Sequence, residues 1–320
     1  MPILYWFRHD LRTHDNPALA QALQAAQITG QPLHTLWVQD EAWLQPTRWG
    51  FKRCSARRLA WWQSAVHALK TQLSTQGIAL QIDQGPPAKA VQKYCAQHGI
   101  QQVFCEAIAA PYEQAEVASL RGSGLQVTAV WQSSLLDPQG LPFEVSKLPQ
   151  VFTRFRELIE KNDIQPPQPI DAFVLASAAS ATLGSPNIEP AGEHAAQAHV
   201  QQYFASAAPW RYKITRNGLM GTDFSSRWSP WLATGALSAR WVYAQLKDAE
   251  AAKGANDSTY WLWFELLWRD YFRFLHLQHG RQLYMHHGLS SLPYPTHNPL
   301  AFERWTQGLS LIHISEPTRP

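Results

Sequence analysis

The sequence contains little cysteine and little charge. Of its 320 residues only 3 are Cys, and charged residues make up 16%. Cys54, Cys95 and Cys105 have neither the spacing of a zinc site nor that of a redox pair, so we predict reduced, mostly buried thiols. The first residues show no charged lead followed by an apolar core and a cleavage site, so no secretory signal is visible. We therefore expect a cytoplasmic protein without a metal site.

Phosphate-binding glycine motifs and basic runs are also missing. No GxGxxG or Walker sequence follows the first apolar stretch, which disfavours an ordinary dinucleotide site there. The net charge of +3 is too small to argue for nucleic-acid binding, so any such contact has to come from locally placed Arg and Lys. Tryptophan, in contrast, is abundant, and its 15 indoles offer packing surface as well as faces for stacking a base or a flavin.

The most informative segment is residues 260–280, which is apolar on almost every side when drawn as a helix. We predict a buried helix, and its charged residues argue against a membrane span. Aromatic rings surround a carboxylate on one face, which carries Trp261, Glu265, Trp268 and Phe272. Arg269 and Arg273 lie one step around the helix. Two interpretations stay open: a core helix with internal Glu–Arg pairs, or a wall with fixed charges for a large, flat, polar ligand.

Short apolar runs and helical patterns alternate along the first part of the chain. We predict strands at residues 3–7, 32–38, 78–82, 103–105 and 126–131, and helices at residues 17–26 (with Asn16 as N-cap), 57–73 and 88–97. This order predicts an α/β fold with a doubly wound parallel sheet and a ligand crevice beyond the carboxyl ends of its strands. Residues 163–200, rich in Pro, Ala, Ser and Gln, are predicted to form a linker, and only helical patterns follow them.

A helix start is predicted at Ser229, because Pro230 follows it and serine is a favoured N-cap. The residues just before it supply two hydroxyls and a guanidinium: Ser225, Ser226 and Arg227. At a helix N-terminus such groups can converge on a phosphate. The alternative is an ordinary capped helix with a polar approach loop. Tyr212 and Arg216 add an aromatic ring and a cation upstream.

Four segments together resemble the cryptochrome/photolyase family. They read WFRHDLRTHDNPAL at residues 6–19, LPQVFTRFRELIE at 148–160, YKITRNGLMGTDFSSRWSPWLATGALS at 212–238 and STYWLWFELLWRDYFRF at 258–274. The forms TRNG, SSRWSPWLA and FELLWRDYFRF are most similar to the cryptochrome DASH branch. The resemblance runs from about residue 3 to residue 308.

The resemblance implies an α/β antenna domain at residues 1–131, a connector at 132–200 and the first part of an all-helical FAD domain at 201–308. Residues 309–320 read LSLIHISEPTRP and do not fit the family, and we expect them to be a sequencing-adapter artefact. In the family, reduced flavin excited by blue light splits cyclobutane pyrimidine dimers in DNA, and DASH members favour single strands. We expect such an enzyme, monomeric and without membrane contact, although this truncated chain itself should be inactive.

The family's functional residues can be carried onto matching positions. The resemblance implies FAD contacts by Tyr212, Ser225, Ser226, Arg227, Trp228 and Ser229. It implies that Glu265 bonds a base edge of the flipped dimer and that Trp268 stacks against it. Arg269 should face flavin or DNA phosphate, and Arg216 a phosphate. A folate antenna (methenyltetrahydrofolate) has two candidate contacts, Glu113 and Glu116, although Ala115 stands where the family has Asn.

Two further features qualify this interpretation. For residues 8–12 (RHDLR) we predict a local ion-pair network and no ligand. The family's usual Trp ten residues before Trp305 is replaced by Pro295, and Tyr294 is a weak substitute in the electron-transfer chain. A blue-light receptor with little repair activity and a light-independent nucleic-acid-binding protein remain the alternative functions.

Overall fold

The structure is a computed structural model that describes residues 1–48, 50–171, 190–218, 224–292 and 298–309. The chain comprises two compact units, Met1–Gly280 and Arg281–Pro320. The domain boundaries predicted at residues 131, 200 and 308 stay predictions. Apart from Leu309, the proposed adapter-derived tail lies outside the described residues.

The first unit contains a sheet of five strands: β1 (Ile3–Phe7), β2 (Leu33–Asp40), β3 (Leu80–Gly85), β4 (Gln102–Glu106) and β5 (Gln126–Val130). The strand order is β3-β2-β1-β4-β5, and all neighbours are parallel. All five residues of the central strand β1 are buried, because apolar clusters cover both faces of the sheet. The predicted doubly wound α/β sheet is confirmed.

Four helices accompany the sheet: α1 (Pro17–Thr29), α2 (Ala56–Thr75), α3 (Pro87–His98) and α4 (Pro111–Gly122). The Asn16 side chain accepts a hydrogen bond from the Leu19 N–H, so the predicted cap of α1 is confirmed. Sequence reasoning missed α4. Only Val117 and Leu120 of this helix are buried, so its apolar periodicity is weak.

The rest of the first unit is helical among its described residues. It contains α5 (Phe152–Lys161), α6 (Glu193–Ala205), α7 (Tyr212–Thr215), α8 (Ser229–Thr234), α9 (Ala239–Lys253) and α10 (Asp257–His279). Their core is a separate apolar cluster that includes Phe155, Val200, Val242, Leu267 and Phe274. The predicted change from an α/β pattern to a helical one is therefore confirmed.

The predicted linker is partly wrong, because α6 begins at Glu193, inside residues 163–200. Ala and Gln are compatible with a helix when Pro is absent, and Ala196 and Val200 become buried in the helical core. The Glu193 carboxylate accepts a 2.6 Å hydrogen bond from the Thr13 N–H, which ties the helix to the segment after β1. Residues 172–189 lie outside the described part of the chain.

The turn at residues 8–12 carries polar contacts, but they are not the local ion-pair network that was predicted, because its arginines reach distant partners. Arg8 pairs with Glu116 at 2.7 Å, and Arg12 Nη1 donates to the Gly235 carbonyl at 2.9 Å. Gly235 has φ +72°, and a Cβ there would lie 1.8 Å from a backbone oxygen of the turn. Glycine is therefore required where the turn meets the helices.

The second unit contains α11 (Pro299–Thr306). The Asn298 side chain caps this helix by accepting a hydrogen bond from the Ala301 N–H. Trp305 on this helix is 66% exposed. Tyr294 and Pro295, which the sequence connects with an altered electron-transfer chain, lie outside the described residues.

The three cysteines are free and buried, as predicted. Within the described ranges, no group of His, Cys, Asp and Glu side chains is placed to hold a metal ion. In that same part of the chain, no helix combines the length and the apolar character needed to cross a membrane.

Candidate active site

The candidate site lies on α10, whose first turn is fixed by a capping box. The Asn256 side chain accepts from the Ser258 and Thr259 N–H groups, and Thr259 Oγ1 accepts from the Asn256 N–H. One side of α10 enters the core through Leu262, Leu266, Leu267, Asp270, Tyr271 and Phe274. The opposite side is open, and Phe272 is 55% exposed. The predicted buried helix is therefore confirmed for its core side, whereas its aromatic side is only partly buried.

Glu265 and Trp261, one turn apart on α10, share one cation. The Arg216 guanidinium forms an ion pair with Glu265 and lies 4.1 Å from the centroid of the Trp261 ring. The pair is accessible, with side chains of Arg216 and Glu265 that are 30% and 37% exposed. Burial raises the pKa of Tyr212, with a further increase from Glu265 and a decrease from Arg216. The structure thus brings these predicted site residues together.

The Trp268 ring has aromatic neighbours on two helices. It stacks on Phe152 of α5 with centroids 3.7 Å apart and planes inclined by 12°. Phe272, one turn further along α10, stacks on it at 5.6 Å and 24°. Because Phe152 is buried, the orientation of the indole is fixed by the core rather than by α10 alone.

Arg269 lies around the helix from Trp268 and contacts backbone carbonyls. Its Nη1 donates to the Ser133 carbonyl at 2.5 Å and its Nη2 to the Leu232 carbonyl at 3.3 Å. Desolvation, together with the charge of Arg273, lowers the pKa of this guanidinium to about 9. Arg269 therefore connects α10 with the segment after β5 and with α8.

Asp270 anchors the same segment. Its carboxylate accepts from the Leu135 N–H at 2.9 Å and from the Leu136 N–H at 2.7 Å. Burial raises the pKa of Asp270 to about 6, although these two hydrogen bonds and the neighbouring Arg269 lower it. Adjacent residues of α10 thus fasten one loop through both an arginine and an aspartate.

The segment predicted to contact a cofactor diphosphate differs from expectation at its helix start. Ser229 is the first residue of α8, and Trp228 occupies the N-cap position without a side-chain hydrogen bond. The prediction that Ser229 caps this helix was wrong by one residue. Trp228 is buried against Tyr203 and Phe204, and its Nε1 has no hydrogen-bond partner in the described part of the chain. It therefore serves mainly as packing.

A cleft of about 620 Å³ opens beside this segment. Its lining includes the exposed side chains of Ser225 and Arg227, together with Arg211, Thr215 and Tyr203. Arg227 has φ 55°, a left-handed conformation that is uncommon outside glycine. Ser226 is not part of this lining, and its carbonyl accepts a hydrogen bond from His199 at 2.8 Å. Hydroxyls and two guanidinium groups form a donor set that fits the diphosphate of a dinucleotide cofactor.

The two folate candidates lie at the carboxyl edge of the sheet. Glu116 is engaged by Arg8, whose Nη2 also donates to the Glu113 carbonyl at 2.9 Å. The Glu113 side chain lines a cavity of about 500 Å³ whose other walls include Arg269 and Phe272. Glu113 and Glu116 also line a second cavity, of about 530 Å³, beyond β1 and β2.

Sequence reasoning missed two residues near the site. Phe152 belongs to a segment that was recognised, but no role was assigned to it. Glu106, at the end of β4, is fully buried, and neither carboxylate oxygen has a hydrogen-bond partner among the described residues. Burial raises its pKa to about 7, with a contribution from Asp10. The available signal was an acidic residue ending a strand, at the edge where a crevice was expected.

The parallel sheet and the helices that follow it define a photolyase-type protein. A family model described as DNA photolyase matches residues 3–172, and the chain belongs to the cryptochrome/photolyase family. Members of this family generally bind FAD and are known for DNA substrates.

Within the family, its relatives include cryptochrome DASH proteins. Those of Synechocystis sp. and Gloeobacter violaceus are 33% and 32% identical; each match covers 96% of this chain, and 67% and 65% of the relatives. The chain thus spans about two thirds of their length. The crystal structure of a Synechocystis cryptochrome aligns with a TM-score of 0.84 at 32% identity, over 96% of this chain and 68% of that one. A class III photolyase of Agrobacterium tumefaciens shares the fold, with a TM-score of 0.69 at 20% identity, over 96% of this chain and 65% of that one.

Proposed function

We propose that the protein is a blue-light-dependent flavoprotein that repairs cyclobutane pyrimidine dimers, preferentially in single-stranded DNA. One observation carries the proposal: the accessible Arg216–Glu265 ion pair lies one turn before Trp268 on the open face of α10. A flipped pyrimidine dimer needs an acceptor for its base edge and a ring to stack on, because its reactive atoms are out of reach within a duplex.

On the DNA side, each residue has one task. Arg216 contacts a phosphate, Glu265 accepts a hydrogen bond from a base edge, and the Trp268 indole stacks against the dimer. Stacking on Phe152 keeps the indole from turning away when the pocket is empty. The chain thus positions the lesion and supplies no nucleophile.

On the cofactor side, Ser225, Arg227 and Arg211 are proposed to hold the FAD diphosphate in the cleft beside α8. When bound and reduced, FAD supplies the absorption of blue light and the electron that opens the dimer ring and then returns. Tyr212, whose pKa is raised by burial, packs against the helical core near Glu265. Arg269 stays a candidate to face flavin or phosphate, held in place by its carbonyl contacts.

For a folate antenna we favour Glu113 over Glu116. The Glu116 carboxylate is already paired with Arg8, whereas Glu113 lines a cavity with Trp131 and Phe272 that offers aromatic walls to a pterin. A carboxylate can accept two N–H bonds from the amino edge of such a ring.

Activity is proposed for the whole protein rather than for these 320 residues by themselves. The open face of α10, with Phe272 more than half exposed, provides only one wall for a ligand. We therefore expect residues 1–320 alone to be inactive. A monomer in the cytoplasm, where buried free thiols stay reduced, remains our proposal for its state and location.

The test is loss of thymine dimers from single-stranded oligonucleotides. The full-length protein is loaded with FAD, reduced and illuminated with blue light. We expect dimers to disappear in light and to persist in darkness. Trp268→Ala should abolish repair but retain flavin absorption; Arg154→Gln, on the outer surface of α5, should retain both repair and flavin absorption.

Persistence of dimers under light, with flavin bound, would exclude repair and favour a blue-light receptor. A colourless product that still binds DNA would instead favour a light-independent nucleic-acid-binding protein. Loss of flavin in Trp268→Ala would contradict the role assigned to that ring.

A further inference from the structure

Arg216 and Glu265 occupy each other in the free protein. Arg216 follows directly after α7, and its guanidinium reaches across to α10, where it meets the Glu265 carboxylate and the face of Trp261. Both groups are nevertheless accessible to solvent. The contact lies on the face of α10 that carries Trp268.

This contact is not what docks α7 on α10. Lys213 Nζ lies 3.0 Å from the Asp257 carboxylate, and the Lys213 N–H donates to Ser258 Oγ at 3.2 Å. These bonds fasten α7 to the first turn of α10, one turn before Trp261. The Arg216–Glu265 pair can therefore open while α7 stays in place.

The proposed roles of the two residues require their pair to open. A carboxylate that stays bound to a guanidinium offers fewer acceptor positions to a base edge, and a guanidinium facing a carboxylate cannot present its planar fork to a phosphate. Half-exposed ion pairs contribute little to stability, because water and salt compete for both charges. A phosphate, with its negative charge and acceptor oxygens, is a sufficient replacement partner for arginine.

We propose that Arg216 is a positioning residue that exchanges partners on DNA binding: its guanidinium passes from Glu265 to a backbone phosphate, and Glu265 is thereby freed for the base edge. The inference rests on the proposed function. In the free protein the pair masks a negative charge that would repel the approaching phosphates. When DNA binds, the Glu265 carboxylate becomes available to a base edge only after a phosphate has taken over Arg216.

Trp261 and Tyr212 suit this exchange. The indole face of Trp261 attracts the guanidinium independently of Glu265, so it holds the cation close to its position during the transfer. Tyr212 lies nearby, and its phenol is neutral at neutral pH, so it does not compete for Arg216.

The first measurement is the salt dependence of binding in the dark, by the whole chain, to a single-stranded oligonucleotide with one thymine dimer. Each phosphate contact contributes about 0.7 to the slope of log K against log salt for single strands. Arg216→Gln should lower the slope by about that amount, and Arg216→Lys, which keeps the charge, should restore it. Glu265→Gln and the surface control Arg154→Gln should leave it unchanged.

The second measurement is a double-mutant cycle of Arg216→Gln and Glu265→Gln on affinity for the same oligonucleotide. In the wild type, the free energy needed to open the ion pair reduces the net gain from the two DNA contacts. Each single substitution removes one contact but also removes this opening cost, so it loses less affinity than its contact contributes. The double variant should therefore lose about two- to fivefold more affinity than the product of the single losses, the range expected for a half-exposed pair.

The outcomes separate the two proposals. An unchanged salt slope in Arg216→Gln, or a double variant no worse than the product of the single losses, means that the pair persists in the complex and overturns the exchange alone. Failure of the wild type to bind the dimer at all overturns the exchange together with the proposed repair function. Equal melting temperatures of Arg216→Gln and Arg154→Gln show that a reduced salt slope does not result from unfolding of the variant.

Discussion

Trp268 stacks on Phe152 almost face to face, with ring centroids 3.7 Å apart and planes inclined by 12°. The two residues lie on different helices, α10 and α5, and 116 positions separate them in the numbering (268 − 152). The position of the proposed lesion-stacking ring therefore depends on a core residue that cannot itself touch DNA.

We expect Phe152→Leu to fold but to bind thymine-dimer oligonucleotides less selectively. Leucine fills most of the volume but does not stack, so Trp268 gains alternative orientations. Discrimination between dimer-containing and undamaged oligonucleotides should fall about three- to tenfold, in line with about 0.5–1.5 kcal/mol for an aromatic pair. Fluorescence anisotropy on both oligonucleotides measures it. Phe143→Leu, at an aromatic contact away from Trp268, is the control, and equal losses in the two variants would contradict the prediction.

Asp270 should be among the most sensitive positions for stability. Asp270→Ala leaves the Leu135 and Leu136 N–H groups buried without an acceptor, so we expect a loss of about 2–5 kcal/mol in the free energy of unfolding. Asp270→Asn keeps one acceptor oxygen and should lose about half as much. Urea unfolding followed by circular dichroism provides the values. Asp248→Ala, an exposed carboxylate on α9, should change stability by less than about 0.5 kcal/mol; equal effects at the two positions would refute the anchoring role.

The sequence allowed local structure to be predicted better than contacts. Asn16 before Pro17 identifies the start of α1 because capping is decided within a few residues. The contact of Asp270 with Leu135 joins positions 135 residues apart, and no local pattern indicates which loop a buried aspartate will meet. The packing of Trp228 could not be predicted either. Its indole packs on Tyr203 and Phe204, although the residues around it in the sequence are polar.

Glu106 gives a prediction about pH. The pKa of its carboxyl rises from 4.5 to about 7 on folding. Between these two pH values the folded protein therefore binds more protons than the unfolded chain. The stability contributed by the protonated carboxyl is lost as the pH rises through about 7. Glu106→Gln cannot ionise. We therefore expect the variant to gain about 1–3 kcal/mol relative to the wild type between pH 5 and pH 8. Urea unfolding at both pH values tests it.

The control for that experiment is Glu157→Gln, whose side chain is 48% exposed on α5. Its difference from the wild type should be the same at pH 5 and pH 8. If Glu106→Gln also shows a constant difference, the buried carboxyl has a partner that neutralises it, and the explanation by burial is wrong.

Flavin binding by residues 1–320 tests how complete the site is. The cleft with Ser225 and Arg227 offers donors to a diphosphate, but the aromatic face of α10 is open to solvent at Phe272, 55% exposed. Diphosphate contacts without an enclosed ring bury little apolar area, so we expect a Kd weaker than about 10 μM. Arg227→Gln should weaken FAD further and Arg154→Gln should not; quenching of flavin fluorescence on titration distinguishes them. Stoichiometric FAD that persists through gel filtration would show that these residues already enclose the ring, and the expectation of an inactive chain would then be withdrawn.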